Sequence, residues 1–227
     1  MDYCLSQDLG KVQDYHATIL TEIRMQTRSQ TQFSRKIYQT GDSEVMYPHI
    51  HVVGADRSQI SYDKLISETK IRLADPRIIH NCWHVVDATG VGMAIIDLMR
   101  AERLDPVGIY ITAGDVPSKK DYGFTVPKNE LIASFQMVLS RGLLKISNKI
   151  REDVKKQFIH EVKNFKEKTT KAGNVAFEAW KEEDHDDLIM SLMMNCWYIL
   201  QMCGHSVTID RTRKQEKDYN PLYDNLQ

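Results

Sequence analysis

Cysteine is scarce in this 227-residue chain: Cys4, Cys82, Cys196 and Cys203, with no C-x-x-C spacing. All four have apolar neighbours, so they read as reduced core thiols of an intracellular protein, not a disulfide framework or zinc site. Cys196 and Cys203 share a face of one expected helix but are too distant along it to bridge. No apolar run approaches the ~20 residues needed to span a bilayer. The start carries Asp2 and Asp8 and lacks a basic segment followed by an apolar one, so no secretory signal is expected. A net charge of −1 leaves no global electrostatic footprint for nucleic acid. That does not exclude a nuclease, whose acidic site offsets basic residues elsewhere. Internal repeats, low-complexity tracts and a G-x-x-x-x-G-K-[ST] phosphate loop are also missing. The lone Met ahead of an immediate strand reads as a piece excised from a longer protein. What is present is 42% apolar residues, enough for one large or two small domains with a sizeable core.

The pattern predicts strands over Tyr3 to Gln7, Tyr15 to Met25 and Ile50 to Val53, the second rich in β-branched residues. Residues 27–46 are polar and read as a surface insertion. A helix follows over Tyr62 to Leu73, with Ser61 placed to cap it. Val85-Val86 ends a strand at Asp87, and Gly90-Val91-Gly92 leads into a helix over Met93 to Arg103. Val107 to Thr112 is a strand, and 112–125 a loop or β-hairpin. Pro127 opens a helix to about Arg141, and Leu143 to Ile146 is a short edge strand. Ile150 to Lys166 is a charged helix, Ala176 to Trp180 a further strand, and Asp184 to Cys203 a strongly apolar helix. The tail from 205 is polar. Antiparallel strands followed by crossover units predict an α/β fold: a mixed sheet of five or more strands with helices on both faces, in one domain over 1–204.

Three acidic segments stand out: Gln7-Asp8-Leu9-Gly10-Lys11, Val86-Asp87-Ala88-Thr89-Gly90-Val91-Gly92 and His185-Asp186-Asp187-Leu188. In each, an Asp stands where a strand stops or an apolar helix starts. If the strands ending at Asp8 and Asp87 are parallel neighbours, both carboxylates emerge at one sheet edge, where open α/β sheets bind ligands. A helix N-terminus tolerates Asp186 and Asp187. One can enter the site while the other caps or faces solvent. Carboxylates gathered with little Cys or His repel one another unless a hard cation sits between them, which suits Mg²⁺ or Mn²⁺. Two such ions roughly 3.5–4 Å apart stabilise the attacking and leaving oxygens of a phosphodiester.

The set Asp8-Leu9-Gly10-Lys11 with Asp14-Tyr15, Val86 to Gly92, Val126-Pro127-Lys128 and His185-Asp186-Asp187-Leu188 resembles the C-terminal nuclease domain of a tailed-phage large terminase, from about Tyr3 to Cys203. The resemblance implies a ribonuclease H-like fold with strand order 3-2-1-4-5. It also implies endonuclease cleavage of concatemeric double-stranded DNA with two divalent ions during genome packaging, in the cytoplasm of an infected bacterium. Asp8, Asp87 and the Asp186-Asp187 pair match the metal-holding acids. Asp14 matches an acid that serves as an additional or outer ligand. His185 could donate to a phosphate, although a polar cap is the simpler role. Thr112 to Thr125 matches a segment near the site that controls DNA access. The implied partners are double-stranded DNA, a packaging ATPase domain in cis, the small terminase subunit and the portal protein, with no membrane. The absent phosphate loop means these residues do not themselves power translocation.

Two rival readings follow from the same residues. Asp-x-Thr-Gly-x-Gly between strand and helix also suits a phosphate cradle, as in actin-like ATPases, though a second lobe and phosphate turn are missing. A non-catalytic DNA- or partner-binding module is the other, and it would tolerate Asn at the acidic positions. Cations for DNA phosphates are available in Lys119, Lys120 and Lys128 near the expected mouth. Arg24, Arg28, Arg35 and Lys36 could line a flank, and Arg211, Arg213, Lys214 and Lys217 lie in the tail. No base-reading motif is visible, which fits contact with the backbone alone.

Overall fold

Eight strands form one mixed sheet with five helices against it in the computed structural model, which describes residues 1–10, 14–28, 45–171 and 186–203. The strands are β1 (Tyr3–Asp8), β2 (His16–Arg28), β3 (Val45–Ser58), β4 (Cys82–Asp87), β5 (Val107–Thr112), β6 (Ser118–Lys120), β7 (Gly123–Pro127) and β8 (Leu144–Ile146). The helices are α1 (Tyr62–Leu73), α2 (Gly92–Ala101), α3 (Lys128–Ser140), α4 (Glu152–Lys171) and α5 (Asp187–Met202). Across the sheet the order is β6-β7-β5-β4-β1-β2-β3-β8. The meander β1-β2-β3 is antiparallel, while β1-β4, β4-β5, β5-β7 and β3-β8 are parallel.

Alternation along the strands sorts the core into two layers. Cys4, Ile19, Ile50, Val52, Val85 and Ile109 join the apolar residues of α3, α4 and α5. Val86, one step from Val85, turns the other way and packs with Leu65 and Ile66 of α1 and Ile95, Ile96 and Met99 of α2. Helix α5 lies across β1 to β4 and against α3 and α4. Every residue from Leu188 to Leu200 is buried, so its apolar character runs all round rather than along one stripe.

Several expectations shift. Strands β2 and β3 run longer than predicted and absorb both ends of the expected insertion, whose middle, 29–44, lies outside the described residues. Within 112–125 the chain makes β6 and most of β7, and β7 pairs parallel with β5 as a full member of the sheet. The β-hairpin, one of the two expectations for this stretch, is present and forms the sheet's own edge. Ser61 occupies the N-cap position of α1 but makes no side-chain capping bond. Pro127 ends β7 and stands one residue before α3 instead of inside it. The predicted strand at 176–180, His185 and the tail lie outside the described residues, as do Lys11, Arg35, Lys36 and the basic residues of the tail. No described helix is long and apolar enough to cross a membrane.

Candidate active site

The pairing of β1 with β4 sets the site. Gln7 stands beside Val86 in a parallel ladder, and one further step brings Asp8 beside Asp87. Asp8 also pairs with Ala17 of β2, and Ala17 with Arg57 of β3. Asp87, Asp8, Ala17 and Arg57 therefore form one row across four strands. Side-chain parity directs this row to the helix side: Ser6, two residues before Asp8, bonds to α5, and Val85, two before Asp87, packs in that core.

Arg57 reaches the row because of a β-bulge. Leu20 pairs with Gly54 but Thr21 pairs with Val52, so Val53 is the extra residue. Before the bulge Ile50 and Val52 face the helices; after it Ala55 and Arg57 do. An uninterrupted ladder would aim Asp56 there instead.

Two buried polar networks hold the parts in register. On the helix side, Thr21 Oγ1 donates to Asn195 Oδ1 at 2.9 Å, Asn195 Nδ2 donates to the Cys4 carbonyl at 3.1 Å and to Ser6 Oγ at 3.2 Å, and Ser6 and Ser191 share a hydroxyl bond at 3.0 Å. These bonds fix α5 along β1, and its first turn lands at Asp8. On the opposite side Gln7 Nε2 donates to Thr69 at 2.9 Å and Thr18 at 3.3 Å, while His84 Nε2–H donates to Gln7 Oε1 at 2.9 Å. Burial pushes His84 down to about 4, so it stays a neutral donor. The residue before Asp8 is thus tied to β2, β4 and α1 at once.

The electrostatics show what has been brought together. Burial pushes the Asp8 carboxyl well above the usual carboxylate range, and the charges of Asp87, Asp187, Asp186 and Glu161 push it further, in that order. Burial also raises Asp87, opposed by the Thr89 N–H that donates to Asp87 Oδ1 at 2.7 Å. Five carboxylates from β1, β4, α4 and α5 share this pocket. Among the described residues Arg57 brings a cation to them: its Nε donates to Asp187 Oδ2 at 3.0 Å and its guanidinium carbon lies 3.7 Å from the centre of the Tyr15 ring.

Glu161 is the acid that sequence reasoning missed. It is fully buried, accepts the Ile189 N–H at 3.0 Å and Gln157 Nε2 at 3.1 Å, and burial pushes it up to about 7. Ile189 is in the first turn of α5, so Glu161 caps that helix from α4, while Asp186, the N-cap residue, makes no side-chain capping bond. A signal existed: Val154, Phe158, Glu161 and Val162 fall on one helical face, so the Glu occupies a core position. Arg57 lies beyond the predicted end of its strand and carried no such signal.

The remaining candidates lie outside this pocket. Asp14 is exposed beside Gly10 and is not among the acids acting on Asp8. Lys119 is exposed and level with Asp87, through Phe124 and Ile109, three strands away. At ~4.8 Å per strand that is roughly 14 Å. Lys120 stacks over the Tyr110 ring at 3.8 Å. Lys128 opens α3 at the edge where β7 ends. An apolar cavity lined by Val52, Leu144, Val154 and Phe158 lies under α4 and includes none of the acids.

The Gly90-Val91-Gly92 turn is shaped by backbone contact. Gly90 has φ +62°, and a Cβ on Gly92 would collide with the Asp87 carbonyl oxygen. The Thr89 and Gly92 amides are already bonded within the turn, to Asp87 Oδ1 and the Thr89 carbonyl, so a phosphate cradle loses two of its donors.

All-oxygen donors of this kind suit a hard divalent cation. Among the described residues no three His, Cys, Asp or Glu side chains are arranged to hold one. Comparison with protein-family models, curated proteins and solved structures returned no match.

Proposed function

We propose that this chain is a metal-dependent endonuclease domain that cuts double-stranded DNA, with a ribonuclease H-like fold and a place in a viral packaging terminase. The observation that carries the reading is the convergence of Asp8, Asp87, Glu161, Asp186 and Asp187 from four elements on one pocket, at real electrostatic cost to Asp8. Structural acids do not ordinarily gather where they destabilise one another, and perturbed carboxylates in company mark functional sites. The run β3-β2-β1-β4-β5 within the sheet supports the fold, and the site at the carboxyl ends of β1 and β4 supports a ligand role.

Two Mg²⁺ or Mn²⁺ ions held among Asp8, Asp87 and the Asp186-Asp187 pair would activate water and stabilise the oxygens of the scissile phosphodiester. The chain's own residues do the positioning. Asp8 stands centrally, between Asp87 beside it and α5 above it. Thr89 orients Asp87 through its N–H, and Arg57 orients Asp187. Lys119, Lys120 and Lys128 at one end of the sheet are the proposed phosphate contacts, and Asp14 is an outer acid. The packaging ATPase domain in cis, the small terminase subunit and the portal, in the host cytoplasm, are the partners this reading assigns.

A plasmid-nicking assay tests it. Wild-type protein is expected to nick with Mn²⁺ or Mg²⁺ and not with EDTA. Asp8→Asn should abolish metal-dependent nicking while the protein stays folded by circular dichroism. Metal-dependent nicking by Asp8→Asn at the wild-type rate would reject the assignment.

A further inference from the structure

The acid pair at the start of α5 leaves open which carboxylate enters the site. We propose that Arg57 is a positioning residue that presents Asp187, rather than Asp186, to a divalent cation; this rests on the metal-dependent reading above. Asp187 is held by one oxygen. Arg57 Nε donates to Oδ2 at 3.0 Å, the two side chains are only 14% and 19% exposed, and the guanidinium is braced 3.7 Å over Tyr15. Among the described residues that leaves Oδ1 for a cation. Carboxylates that hold metals are commonly fixed by such an outer partner.

A second observation concerns Arg57 itself. Its Nη2 is shielded from solvent and has no acceptor among the described residues. A buried donor in that state is rare in native proteins, and it points to an anionic oxygen at this spot independently of the acids.

The test is Mn²⁺ binding by titration calorimetry and electron paramagnetic resonance on the full 227-residue chain, with folding checked by thermal melts in EDTA. Arg57→Gln is expected to weaken Mn²⁺ binding about 10- to 100-fold. Arg57→Lys, which keeps the charge and one donor, should recover part of the loss. Asp187→Asn should weaken binding more than Asp186→Asn. Arg57→Gln that binds Mn²⁺ as tightly as wild type, or tighter because a nearby positive charge has gone, overturns the proposal. So does Asp186→Asn proving equally or more damaging than Asp187→Asn. Should Arg57→Gln not fold, the near-isosteric pair of Asn variants decides. Wild-type protein that binds no Mn²⁺ rejects the metal reading itself, whereas wild-type binding with an indifferent Arg57 rejects only this assignment.

Discussion

At the scale of single residues, Glu161 ties the stability of the protein to its site. Its ordinary value near 4.5 rises to about 7 in the folded protein because it is buried. Between those values the folded state holds a proton that the unfolded chain has released. This stabilisation is therefore complete below about pH 4.5 and is lost as pH rises through 7. Metal-free protein is expected to lose roughly 3 kcal/mol of stability from this one group across that window, with Asp8 and Asp87 acting in the same direction. Glu161→Gln keeps an acceptor for Ile189 and removes the ionisation. Urea unfolding in EDTA at pH 5 and pH 7.5 should show a flatter pH dependence in the variant, and superimposable profiles would contradict the account. The acids Asp8 and Asp87 were legible because each interrupts an apolar run at a strand end. Glu161 was half-legible, as a charge on an apolar helix face. Arg57 was not, because its direction depends on a bulge that leaves no clear mark in the residues themselves.

At the scale of elements, the placement of α5 decides whether the acids meet. The helix is apolar on all sides, so hydrophobic burial alone would hold it about equally well when shifted or rotated on the sheet. Asn195, Ser191, Thr21 and Ser6 supply directional bonds that select one position. Asn195→Ala removes three of these bonds and leaves the buried Thr21 hydroxyl with only its 3.3 Å bond to the Cys4 carbonyl. It is expected to cost roughly 1–3 kcal/mol, a fall in melting temperature of about 2–4 °C per kcal/mol for a domain of this size. A change below one degree would show that packing alone sets the helix. Most elements were readable from periodicity: α1 begins and ends where the pattern places it, and β1, β4 and β5 lie within a residue or a few of expectation. The 112–125 stretch reads as a loop or β-hairpin, and β6 and β7 do pair antiparallel there; the parallel pairing of β7 with β5 is what the residues did not announce. Gly123 is required there, since any Cβ would strike the Gly108 backbone of the neighbouring β5. A glycine needed for close strand approach looks in sequence like a glycine needed for a turn.

At the scale of the whole molecule, a net charge near zero conceals a separation of signs. Acids converge at the carboxyl ends of β1 and β4, and lysines lie toward the β6-β7 edge. If that edge meets DNA phosphates, Lys119→Ala/Lys120→Ala weakens DNA binding most at low salt, where released counterions contribute most. It also makes the slope of log K against log salt shallower by up to ~1.8. Lys119 is expected to carry the larger share, because Lys120 is already stacked on Tyr110. Parallel slopes for variant and wild type, measured by fluorescence anisotropy over a salt series, would place the DNA path elsewhere.

Residue order along the chain determined the α/β class, the two-layer core and the acids at strand ends and at a helix start, because these follow from local periodicity and from where apolar runs stop. Which acids share a pocket was decided only in three dimensions. Strand neighbours set Asp8 beside Asp87, a bulge turned Arg57 inward, and a helix distant in sequence delivered Glu161. Each of those outcomes depends on contacts between segments far apart in the chain, where a one-residue change of register would point a different side chain at the same place.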